Sequence, residues 1–112
     1  MPVSERYHYA NEKLANAVFL VMSASGTAKD RLLQAALHDV SVLKATDLPD
    51  GRFREDFREL IKRILDGAPA GTVDGLYEAA FRHMTEEDVR WILERLHRLA
   101  FAMCEFVAGA RL

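Results

Sequence analysis

The sequence predicts an all-α protein: a compact five-helix bundle with a long C-terminal helix. Three observations carry this. Apolar residues recur at three- and four-residue spacing along most of the chain, the period of one helix face. The breaks between these stretches fall at clusters of Gly, Pro, Ser and Asp. From Thr85 the chain then runs without Gly or Pro to Gly109.

Ser4 is placed to cap a first helix over about residues 5–23, where Tyr7, Ala10, Leu14, Ala17, Val18 and Val21 share a face. Ser23-Ala24-Ser25-Gly26 breaks it. Thr27, with Asp30 in the capping-box position, opens a second helix over about 28–44. Its apolar face is Leu32, Leu33, Ala36, Val40 and Leu43. Asp47-Leu48-Pro49-Asp50-Gly51 stops it. A third helix covers about 52–66, with Phe53, Phe57, Leu60, Ile61 and Ile64 inward. After the linker Gly67-Ala68-Pro69-Ala70-Gly71, Thr72 caps a fourth over about 73–83, striped by Val73, Leu76, Tyr77 and Ala80. The fifth spans about 86–109 from the capping box Thr85-Glu86-Glu87-Asp88. Its core face is Val89, Ile92, Leu93, Leu96, Leu99, Ala100, Met103 and Val107. All 112 residues are expected in one domain.

Composition narrows the function classes. Half the residues are apolar and 29% are charged, an ordinary globular balance. A net charge of −2 lacks the electrostatic footprint of a nucleic-acid binder. The single cysteine, Cys104, forms no intrachain disulfide, which fits a reducing, cytoplasmic setting. No secretory signal is read at Met1-Pro2-Val3-Ser4. The run Ala17 to Met22 is far short of the roughly 20 apolar residues a membrane span needs.

The fifth helix is apolar on two sides. Trp91 and Phe101 lie opposite its core face, and Glu105 is the only polar residue between Leu99 and Ala108. Phe19 and Leu20 lie off the main face of the first helix. A second apolar face is covered by the protein itself or by a partner. The expectation is a homodimer burying Phe19, Leu20, Phe101 and Phe106, with a further protein partner as an extension of the same role.

Chemistry-bearing residues are sparse. Arg54, Arg58 and Lys62 form a basic stripe on the third helix, with Glu55, Glu59 and Asp66 placed to neutralise it. Glu94-Arg95-Leu96-His97 matches half of a di-metal carboxylate motif, but no second copy exists, and Glu86, Arg90, Glu94 and Arg98 read as an ion-pair ladder. Cys104 reads as a small core-edge residue and Ser25-Gly26-Thr27 as a turn and cap. Trp91, with Arg95 one turn on, is placed for a stacking contact or as a partner anchor. No cofactor, metal or catalytic residue is assigned.

His38-Asp39 in Gln34-Ala35-Ala36-Leu37-His38-Asp39-Val40 resembles the signature of HD-domain metal phosphohydrolases. The resemblance implies His8, His38 and Asp39 as ligands of a divalent metal that activates water against a phosphate ester. It is the alternative to a non-enzymatic interaction or regulatory module. A second pattern covers residues 25–90: Gly26-Thr27, Arg31-Leu32, Asp47-Leu48-Pro49, Phe57 and Leu60, Gly71-Thr72-Val73 and Met84-Thr85-Glu86-Glu87-Asp88. It is similar to a group of short bacterial all-helical proteins of uncharacterised activity, which implies a helical fold and no particular reaction.

Overall fold

The computed structural model describes residues 6–68 and 75–109. Over these the chain forms five α-helices: α1 His8–Ser23, α2 Ala28–Ala35, α3 Arg52–Leu65, α4 Leu76–Arg82 and α5 Glu86–Gly109. No strand occurs among the described residues. The expected Ser4 cap, the Pro69-centred part of the linker, and Thr72 and Val73 lie outside them.

The caps form as their residue types dictate. Thr85 Oγ1 accepts from the Asp88 N–H at 3.1 Å, and the Asp88 carboxylate accepts from the Thr85 N–H at 3.1 Å. Thr27 and Asp30 make the same reciprocal pair at the start of α2. Gly26 sits at φ 104°, and a Cβ there would stand 2.9 Å from the Asp30 side chain, so the cap itself requires glycine. The Thr85 N–H, then the Thr85 hydroxyl, then Arg63 hold the Asp88 carboxyl below its ordinary value of 3.8; the Thr27 N–H and hydroxyl lower Asp30 likewise. A carboxyl depressed in the folded state contributes stability above its unfolded pKa and loses it as pH falls through the folded value. The melting temperature should therefore drop on acidification from about pH 5 to about pH 2. An Asp30→Asn, Asp88→Asn double variant should show a shallower drop; an unchanged slope would mean the caps carry none of the acid sensitivity.

Element α2 departs from the expected single helix to residue 44. Its α-helical part ends at Ala35, and Ala36–Val40 form a π-helical turn closed by the Ser41 N–H donating to the Ala36 carbonyl at 2.8 Å. A short 3₁₀ turn, Ala45–Asp47, follows. The residue added to the turn widens the backbone at His38 and Asp39, and such insertions recur at functional sites.

One core unites the helices. α1 contributes Ala10, Leu14, Ala17 and Val21, and α3 contributes Phe57, Leu60 and Ile64. α5 supplies Val89, Ile92, Leu96, Leu99, Met103 and Val107, at the predicted helical spacing. α5 runs roughly 36 Å at 1.5 Å per residue, most of the longest 44 Å dimension of the molecule. It packs against both α1 and α3. The α4 stripe differs from the reading: Leu76 and Tyr77 are half-buried, and Phe81 is the side chain driven into the core.

Candidate functional site

The four residues expected at a dimer interface divide into two pairs. Phe19 and Phe101 are solvent-facing, 62% and 67% exposed. Leu20 and Phe106 are half-buried against their own core. Phe106 is held edge-on between Tyr7, centroids 5.8 Å apart, and Phe53, at 5.4 Å. The two neighbouring aromatics give it an intrachain seat that helix phase alone did not reveal. Leu20 packs partly against the core of its own chain, so only an edge of it remains for a partner.

On α5 the outward stripe continues beyond Phe101. His97, Phe101, Cys104 and Ala108 follow at steps of four, three and four, and all are exposed. Cys104 is therefore on the surface and not at the core edge, as the sequence suggested. Tyr9, Met22, Leu37 and Val42 are further exposed large apolar side chains.

A polar cluster sits between α1 and the π-turn. Asp39 is 1% exposed, the only buried charged residue among those described. Asn16 Nδ2 donates to both of its oxygens, at 3.0 and 2.9 Å, and Lys13 Nζ stands 3.9 Å from Oδ1. Tyr9 and Phe19 line the surface depression around it. Sequence reading placed His38 outward correctly but missed Asp39 as a buried anchor. The signal was present: Asp39 stands three residues after Ala36 and four before Leu43, on the apolar stripe.

The metal-ligand set His8, His38 and Asp39 is not brought together. His8 lies on the exposed side of α1, 3.9 Å from Glu12; His38 is exposed; Asp39 faces Asn16. Among the described residues no three His, Cys, Asp or Glu side chains are grouped to hold a metal.

The basic stripe of α3 is also divided. Arg54 turns back to donate to the Leu48 carbonyl at 2.9 Å and to Asp50 at 2.6 Å, locking the Pro49 turn. Arg58 and Lys62 remain exposed. Arg63 pairs with Asp88 on α5 at 3.0 Å, in place of the expected carboxylates of its own helix. In the α5 ladder, Arg98 pairs with Glu94 at 2.5 Å. Trp91 is covered from two sides, with the Arg63 and Arg95 guanidinium carbons 4.9 and 4.8 Å from its ring. No described helix is long and apolar enough to cross a membrane. No protein family, no characterised protein and no solved structure matches this chain.

Proposed function

We propose that this protein is a non-enzymatic interaction module that works as a homodimer, pairing through the outward face of α5 around Phe101, with Phe19 as a second apolar contact. The observation carrying the proposal is the pair of outward phenylalanines on the two helices that pack together most closely, α1 and α5. Large apolar side chains left in water favour association by about 25 cal/mol per Å² covered. The His97, Phe101, Cys104, Ala108 stripe has the alternating spacing of a helix-pairing seam.

Charge supports an antiparallel pair. Glu105 has no ion-pair partner among the described residues. A two-fold axis at Phe101 sets Glu105 beside the partner's His97 and the partner's Arg98, and the reciprocal contact follows by symmetry. In this reading the dimer is cytoplasmic, takes no cofactor, and binds neither nucleic acid nor membrane. The net charge of −2 and the pairing of Arg54, Arg63 and Arg98 with carboxylates support the absence of nucleic-acid binding.

Light scattering at micromolar concentration should report about twice the 12.7 kDa chain mass. Phe101→Glu sets two carboxylates across the axis and should weaken pairing at least about 100-fold, giving a folded monomer. A wild-type monomer, or an unchanged Phe101→Glu dimer, would refute the proposal.

A further inference from the structure

We propose that the groove between α3 and α5 binds a small phosphate monoester carrying a flat apolar body. Three guanidinium groups line it, Arg52 from α3 and Arg95 and Arg98 from α5, against one carboxylate, Asp56. Glu94 neutralises Arg98, so Arg52 and Arg95 against Asp56 leave a positive excess in a chain whose net charge is −2, and the positive potential is local. Phe53 and Leu99 supply an apolar wall in the same groove, which encloses about 310 Å³. That volume is at the small end of ligand sites and suits a compact molecule.

The three arginines are not equally available. Arg98 is engaged by Glu94 at 2.5 Å. Arg52 is 90% exposed and 3.7 Å from Asp56, beyond hydrogen-bonding length, so it is free to turn toward a ligand. Arg95 has no carboxylate partner among the described residues and is held by the face of Trp91. That stacking leaves its N–H fork unused while limiting its motion. A pre-positioned guanidinium loses less freedom on binding than a mobile one. The planar fork matches two phosphate oxygens at once, and a phosphate monoester carries about −1.5 to −2 charge at pH 7, opposite in sign to the lining. Arg95 makes the first contact, Arg52 closes over the phosphate from α3, and the apolar body lies on Phe53 and Leu99.

Arg98 is common to this groove and to the pairing at Phe101, so the site is tested on Arg52 and Arg95, which the pairing does not use. Phenyl phosphate is the probe, read by calorimetry and by fluorescence of Trp91, the only tryptophan. The expected result is saturable 1:1 binding with a change in Trp91 emission, weaker binding of inorganic phosphate, and none of phenol. Arg95→Gln should weaken phenyl phosphate binding at least tenfold and Arg52→Gln several-fold, with Arg58→Gln, outside the groove, unchanged. Arg52 is on the surface, so its variant tests the groove even where Arg95→Gln disturbs the packing of Trp91. Absence of saturation by about 10 mM, equal losses in all three variants, or phenol binding as well as phenyl phosphate would overturn the proposal. Equal affinity for inorganic phosphate would overturn the apolar half of it.

Discussion

Phe81→Ala is expected to lower the stability of the fold by about 3–5 kcal/mol, with α4 losing its protection from hydrogen exchange first. α4 has seven residues, too few to persist as an isolated helix, whose length threshold in water is roughly 12–15 residues. Its N-cap is Gly75, which provides no side-chain acceptor. Its order therefore comes from burial, and Phe81, 2% exposed, is its one large fully buried side chain. Truncation removes that area and leaves a cavity beneath a helix whose other core contacts are the small Ala79 and Ala80 and the half-buried Leu76 and Tyr77. Phe81→Leu retains most of the volume and should lose under about 1.5 kcal/mol. Denaturant unfolding of both variants checks this. A loss below about 1 kcal/mol for Phe81→Ala would show that α4 is held by some other contact.

Helix α4 also shows where sequence reading stops. Long helices with strong caps declare themselves: α5 begins at Glu86, directly after its Thr85–Asp88 box. Its phase is equally legible, because many apolar positions average out any local error. A short helix has too few residues to define a phase, so Phe81 was overlooked in favour of Tyr77. The π-turn was invisible for a different reason. It coincides with a tertiary contact, Asp39 against Asn16 across the α1–α2 seam, and no local propensity marks it. Of the surface, Phe19 and Phe101 were legible by phase. Phe106 was not, since its cover comes from Tyr7 and Phe53, distant in sequence. The groove of Arg52, Arg95 and Arg98 was illegible as well, since it joins the first turn of α3 to the middle of α5.

The seam itself yields the second large effect. Asn16→Ala is expected to destabilise the protein by about 3 kcal/mol, and to do so more than Asp39→Ala. The two side chains share one contact, but their surroundings differ. Asp39 is buried, and its carboxylate depends on the Asn16 amide for both close hydrogen bonds. Lys13 stands at 3.9 Å, too far to replace them as a donor. Removing Asn16 therefore strands a buried charge, the costliest form of an unmade polar contact. Asn16 is itself exposed, so when Asp39 is removed water satisfies the amide, and the loss is closer to about 1–2 kcal/mol, mostly from packing. Replacing both by leucine removes donor and acceptor together and should recover much of the Asn16→Ala loss. The measurement is a double-mutant cycle by chemical denaturation. If Asp39→Ala is the more damaging substitution, the carboxylate stabilises the π-turn through contacts other than Asn16, and the seam is not organised around that pair.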